Sequence, residues 1–416
     1  MEIQRNIYLD TLKRKKNNGL IKIITGIRRC GKSYLLRTIF KQYPLADGVP
    51  DDHIVEMSFD SIENAAYLEP QKFYAFAKAK IQDDELYYFL LDEIQLMDNF
   101  EAVLNGLNDK KNVDIYVTGS NARFLSRDIV TEFAGRGDEI HMYPLSFREF
   151  MSIYRGELFK GLTEYMTYGG IPLVVLADQQ DKAKLLHTLF DETYIRDIIK
   201  RNRVRNAREI EDLLNILSSS IGSLTNPEKL KNTFRSVKNS RITAHTIGKY
   251  LGYFEDAFLV ESAQRYDIKG KAYIETPKKY YFTDLGLRNA RLGFRQNEPT
   301  HGVENIVYNE LKIRGFEVDV GIVPIAERNK LGKVVRKQLE IDFACNKGSK
   351  RYYVQSAYSL PDEEKRAQEI RPFMKTEDSF KKIIVTNDVV PTTYDDHGIL
   401  TMNLLDFLMD SESLEK

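Results

Sequence analysis

GIRRCGKS, residues 26–33, sets Gly26, Gly31, Lys32 and Ser33 at the spacing G-x-x-x-x-G-K-S. Glycines let a loop turn its backbone N–H groups inward around phosphate oxygens, and a following helix points its positive end at them. The lysine can reach the outer phosphates, and the serine hydroxyl can ligate Mg2+. The pattern carries this meaning only between a strand and a helix. LIKIITG (20–26), an apolar β-branched run, precedes it, and YLLRTIFKQY (34–43), with helical apolar spacing, follows. A nucleotide phosphate with Mg2+ is therefore the expected ligand.

Working outward, LYYFLLDEIQ (86–95) is an apolar run ending in Asp92 and Glu93. A buried strand delivers carboxylates to its C-terminal edge, where α/β sheets bind ligands. Asp92 is placed to join Ser33 on the metal, and Glu93 to orient or activate the attacking water. VDIYVTGSNA (113–122) ends in Thr118, Ser120 and Asn121. That polar tip reads either as a γ-phosphate or water contact, or as an ordinary turn. IVEMSFDS (54–61) adds a strand, and IYLDTLKRKK (7–16) a short amphipathic helix. The order implies a parallel sheet with helices on both faces, its acidic strand inserted between the P-loop strand and the next.

GIRRCGKSYLL, FLLDEIQ, VTGSNA, EFAGRG and YPLSFREF, in this order, resemble the prokaryotic AAA-type ATPases whose loop reads G-x-R-R-x-G-K-[ST]. The resemblance is specific over residues 20–150, looser beyond, and spans the chain. It implies nucleotide binding through Gly26, Arg28, Arg29, Gly31, Lys32, Ser33 and Tyr34, with Ser120 or Asn121 as a polar sensor. Phosphate binding does not require Arg28 and Arg29; they tie the loop to this family. Arg136 matches a family arginine after the sensor strand, which reads either as a contact to phosphoryl charge, in cis or from a neighbouring subunit, or as a surface residue. Cys30 reads as a tolerated small residue.

The resemblance places a C-terminal region of unknown function after the ATPase. EYMTYGGIPLVV (164–175) matches its Tyr-x-x-Gly-Gly-x-Pro signature, physically a turn device. LFDETYIRDIIKRNRVRNAREI (189–210) is crowded with arginine and lysine, either phosphate contacts or a solvated helix end. Helical patterns at 208–220, 226–237 and from Thr243, then a basic-tipped hairpin in KGKAYIETPKKYYFTD (269–284), make a winged helix-turn-helix. Such a module touches DNA through its third helix and wing, here Arg241, Thr243, His245 and Lys249 with Lys269, Lys271, Lys278 and Lys279. The third helix is also strongly apolar, as in winged helices that pack against protein.

THGVENIVYNELKIRGFEVDVGIV (300–323) and KQLEIDFACNKGSKRYYVQSAYSL (337–360) read as helix, strand and two further strands. Glu304, Glu340 and Asp342 resemble a restriction-endonuclease-like core. Where that core carries Glu-x-Lys, this chain has Gln355, Ser356 and Ala357. A site lacking one acid and the lysine is expected to be degenerate, its cluster being Glu304, Asp342 and Gln355.

The totals are permissive. Sixty-one basic and 61 acidic residues cancel, so net charge names no partner. The two cysteines, Cys30 and Cys345, form no metal or disulfide framework. No apolar run approaches a membrane span and the first residues are polar, giving the expectation of a soluble, cytoplasmic protein. The expected fold is α/β: an AAA-type P-loop ATPase domain over 1–150, a helical and winged-helix domain over 151–290, and a small restriction-endonuclease-like domain over 291–416. The expected function is an ATPase that uses Mg-ATP to switch or move the later domains, on DNA or as a homo-oligomer. The alternatives are a DNA-binding regulatory or defence module with structural ATP, and a metal-dependent nuclease.

Overall fold

The computed structural model describes residues 3–119, 133, 135–295, 298–328 and 333–416. The chain divides into two compact units, residues 1–144 with 256–258, and residues 145–255 with 259–416.

The first unit is built on five parallel strands, β1 (Ile21–Thr25), β2 (Ile54–Ser58), β3 (Tyr87–Asp92), β4 (Val113–Thr118) and β5 (Gly137–His141), in the order β2-β3-β4-β1-β5. This is the doubly covered parallel sheet that the apolar runs imply. The acidic β3 lies between the P-loop strand β1 and the next strand β2, as expected, and the polar β4 lies there with it, pairing with both β1 and β3. β5 was not foreseen. Its sequence, GDEIH, is polar because it is an edge strand with only Ile140 buried.

Odd-numbered strand residues face one way. Ile21, Ile23, Phe89, Leu91, Ile115 and Val117 pack there against Phe73 and Ala77 of helix Pro70–Lys80 and Phe100, Leu104 and Leu107 of helix Phe100–Asn108. On the other face the Phe40 ring lies 4.4 Å from that of Tyr116. Lys22 is fully buried there and pairs with Asp114, which also accepts from the Tyr116 hydroxyl at 2.8 Å. A strand buried on both faces tolerates a lysine only if its charge is matched in place.

The second unit carries eight strands: β6 (Val260–Asp267), β7 (Ala272–Phe282), β8 (Glu317–Arg328), β9 (Val334–Lys347), β10 (Lys350–Ala357), β11 (Lys381–Thr386), β12 (Thr393–Tyr394) and β13 (Ile399–Asn403). They form one mixed sheet ordered β12-β13-β11-β10-β9-β8-β6-β7. Helices Ala207–Ser219, Pro227–Lys238 and Ala244–Asp256 precede the β6–β7 hairpin, and an isolated antiparallel bridge joins Thr225 to Lys278. Asn206 and Asn226 cap the first two helices through their side chains, as asparagine does at a helix start. The division expected between residues 290 and 291 is bridged rather than open. β6 hydrogen-bonds in parallel to β8, pairing Arg265 with Val320 and Asp267 with Ile322.

Two buried polar side chains fix this unit. Asn305, on helix Pro299–Ile313, accepts from Phe282 N at 2.8 Å and donates to Phe282 O at 2.7 Å. It clips that helix to the end of β7, setting Glu304 beside the strand. Asp284 caps helix Leu285–Arg291 by accepting from Leu287 N at 3.1 Å, and accepts from Gly170 N at 2.7 Å. The Gly-Gly pair is obligatory here, since a Cβ on Gly169, at φ +75°, would meet the Asp284 carboxylate at 2.1 Å. The turn role expected of Gly-Gly-x-Pro is thus a clasp on one buried acid.

Candidate functional site

The phosphate loop leaves β1 at Gly26, whose φ of +137° and 2.1 Å approach of a Cβ to Met142 O exclude any side chain. Arg29 (φ +66°) and Gly31 (φ +102°) turn the loop back, and the helical segment begins at Lys32, widening to a π-turn over Leu35–Phe40. Lys32 is buried. Its Nζ donates to the carbonyls of Gly26 at 2.9 Å and Ile27 at 3.1 Å. Arg28 is half-buried, while Arg29, Ser33 and Tyr34 are exposed and Cys30 is fully buried.

β3 and β4 bring the remaining groups to the same edge. Ser33 Oγ donates to Asp92 Oδ1 at 2.9 Å, and the Thr118 hydroxyl also donates to Asp92. Thr118 Oγ1 in turn accepts from Glu93 N at 3.0 Å. Glu93 stands in the left-handed region, at φ +53°, and its carboxylate accepts from the Gln95 side-chain amide. A strained backbone at a carboxylate that ends a strand is the sort found at functional sites. Arg37 bonds Glu56 at 2.7 Å and has Nη1 3.9 Å from Asp92 Oδ2. Gln95 and Arg37 had no assigned part in the sequence reading. DEIQ contained the signal for Gln95, since a polar residue two past the acid lies within its reach.

Lys32, Ser33, Asp92, Glu93 and Thr118 are therefore together. Ser120 and Asn121 lie outside the described residues. Arg136 is not brought to them. It precedes β5, whose Gly137 pairs with Ile21, at the opposite end of β1 from the loop. Four residues of strand separate those ends by about 13 Å. There Arg136 pairs with Asp109 at 2.8 Å.

The second cluster gathers around a lysine. Lys279 and Tyr281, two apart on β7, share a strand face. Lys279 Nζ lies 2.8 Å from Glu304 Oε1, 2.8 Å from Glu340 Oε1 and 3.7 Å from Asp342 Oδ1. The Tyr281 hydroxyl donates to Glu304 at 2.7 Å, and Ser356 N to Asp342 at 2.9 Å. Gln355 accepts from Asp342 N at 3.3 Å and turns its amide N–H to Glu369 at 2.9 Å. Burial pulls the Lys279 ammonium down, but Glu304, Asp342 and Glu340 outweigh it and hold the pKa above the ordinary lysine value. Burial, then the Glu304 charge, pushes Asp342 up to about 7. Burial also opposes ionisation of Glu304, yet Lys279 keeps its pKa below the ordinary value. Lys279 is 4% exposed, so its expected place on a DNA-touching wing is corrected. Lys269 and Lys271 are exposed at the hairpin tip, where Lys269 pairs with Glu377. Arg241, Thr243, His245 and Lys249 are exposed at the start of helix Ala244–Asp256.

Residues 18–151 match the family model described as an AAA domain, and residues 159–298 match a domain of unknown function (DUF8612). An uncharacterised protein of Haemophilus influenzae is 36% identical over 413 residues, covering 98% of each chain. The chain belongs to the same family. This family has an AAA-type ATPase domain at its N-terminal end. An uncharacterised protein of Methanocaldococcus jannaschii is 30% identical over 413 residues, 95% of this chain and 86% of its own. Among solved structures, the Aeropyrum pernix ORC1 protein in complex with DNA is similar at 13% identity and a TM-score of 0.29, over 70% of this chain and 93% of its own. At that score the similarity carries no argument. Among the described residues no helix is long and apolar enough to cross a membrane.

Proposed function

We propose that this AAA-family chain binds and hydrolyses Mg-ATP at the loop Gly26–Ser33 and uses the cycle to switch its second unit. The observation that carries the reading is the convergence of Lys32, Ser33, Asp92 and Glu93 on one sheet edge, with Ser33 Oγ 2.9 Å from Asp92 Oδ1. Among the described residues Lys32 Nζ donates to two neutral carbonyls, which phosphate oxygens would replace. Ser33 and Asp92 offer the hard oxygen donors that Mg2+ takes. When bound, Mg2+ would neutralise charge on the phosphate oxygens. Glu93 is the residue that orients water, and the Thr118 hydroxyl, shared by Asp92 and Glu93 N, holds the two acids in register. In this reading Arg136 serves a neighbouring copy's nucleotide rather than its own, since it stands at the far end of its own sheet.

Binding is tested by calorimetry with Mg-ATP on wild-type and Lys32→Ala chains. Wild-type protein with no affinity ends the proposal. Turnover is tested against the Glu93→Gln variant.

The domain reading, helical and winged-helix to residue 290 and nuclease-like beyond, is carried by three helices followed by a hairpin and by Glu304, Glu340 and Asp342 meeting on one face. Four exposed side chains, Arg241, Thr243, His245 and Lys249, favour DNA as a ligand of this unit. Salt-dependent DNA binding, and turnover measured with and without DNA, separate a DNA-coupled ATPase from a module in which ATP is structural.

A further inference from the structure

A nuclease-like fold implies a divalent metal where its acids converge, so the residues present can be asked whether they fit one. Glu304 from helix Pro299–Ile313, with Glu340 and Asp342 from β9, do converge on one point. That point is taken by Lys279 Nζ. An ammonium has three N–H donors and no acceptor, and here it faces three carboxylates. Mg2+ needs oxygens at about 2.0–2.1 Å and Ca2+ at about 2.3–2.6 Å. Neither can enter a space that already holds an ammonium 2.8 Å from two of the acids.

Further partners occupy part of what remains. The Tyr281 hydroxyl takes Glu304, Ser356 N takes Asp342, and Gln355 directs its amide to Glu369 rather than to the acids. Gly222 closes one side, where even a Cβ would come within 3.1 Å of the Glu304 carboxylate. Among the described residues no group of three His, Cys, Asp or Glu side chains is arranged to hold a metal ion.

We propose that Lys279 is the permanent cation of this cluster, closing it to divalent metal and silencing the nuclease-like sheet from within. The missing Glu-x-Lys residues are then not the sole cause of degeneracy; β7 has supplied a plug. The ATPase reading plays no part in this inference, and its test contains no nucleotide.

The test is Mn2+ titration of the full chain, by calorimetry and by electron paramagnetic resonance, in an Asp92→Asn background that removes metal taken up near the phosphate loop. Expected are no Asp342-dependent Mn2+ binding with Lys279 present, and one added Mn2+ per chain in Lys279→Met. Adding Asp342→Asn should abolish that gain. If Lys279→Met does not fold, Lys279→Met/Glu340→Gln removes one charge of each sign and takes its place. Mn2+ binding that requires Asp342 while Lys279 is intact overturns the proposal whatever the variants do. So does a folded Lys279→Met, or folded double variant, that gains no Mn2+.

Discussion

Two buried lysines divide the molecule's chemistry between them. Lys32 rests on two neutral carbonyls of its own loop, at 2.9 and 3.1 Å. Lys279 rests among three carboxylates, one on helix Pro299–Ile313 and two on β9. Both side chains are nearly sealed from solvent, so burial does not distinguish them. Their partners do. Neutral dipoles hold a charge weakly enough that an anion can displace them, whereas ionised partners hold it for the life of the fold. In the readings proposed above, the first lysine belongs to a site that receives a ligand and the second to a site already filled.

The largest test of this contrast lies beside Lys32. Replacing Glu93 with Gln should cut steady-state ATP turnover by roughly 10²–10⁴-fold while Mg-ATP still binds. Loss of binding along with turnover would show that Glu93 shapes the loop instead. Next comes stability. Lys279→Met should lower the unfolding free energy by about 3–5 kcal/mol in denaturant melts, because it strands buried acids. Lys32→Met should lower it by no more than about 1–2 kcal/mol, the net worth of two hydrogen bonds. Equal losses would break the comparison.

The smallest effect concerns Asp284, a buried charge held by backbone N–H groups as Lys32 is held by carbonyls. Burial, only partly offset by those N–H bonds, raises its pKa from 3.8 to about 6. The folded state thus binds this proton more tightly than the unfolded chain. Its contribution to stability is complete below pH 3.8 and disappears as pH rises through about 6. Asp284→Asn should remove up to about 1.4 kcal/mol per pH unit of slope in that window. An unchanged slope, read from melts at several pH values, would refute the assignment.

Much of the first unit was legible. Continuous apolar strands announce a doubly covered sheet, and the spacing of Gly26, Gly31, Lys32 and Ser33 between a strand and a helix points to a phosphate loop. What escaped was set by neighbours rather than by sequence. β5 is polar because it lies at the sheet edge, so its pattern reads as loop. Arg136 is one residue before that strand, and only the pairing of Gly137 with Ile21 reveals that it stands at the end of β1 opposite the loop. Lys279 looks like its neighbour Lys278, yet strand alternation turns one inward and leaves the other partly exposed. Nothing local to KK at 278–279 says which face helix Pro299–Ile313 will cover.

The return of residues 256–258 to the first unit has a consequence in time. The chain is synthesised from its N-terminus, so all five strands of that unit exist well before its last piece does. Phe258, whose ring lies 4.8 Å from that of His141, arrives only after the helical stretch of the second unit that precedes it, residues 145–255, has been made. A nascent chain halted at residue 200 should therefore carry a first unit more open to protease than one halted beyond residue 258. The order of manufacture would then make the ATPase the last of the early parts to close.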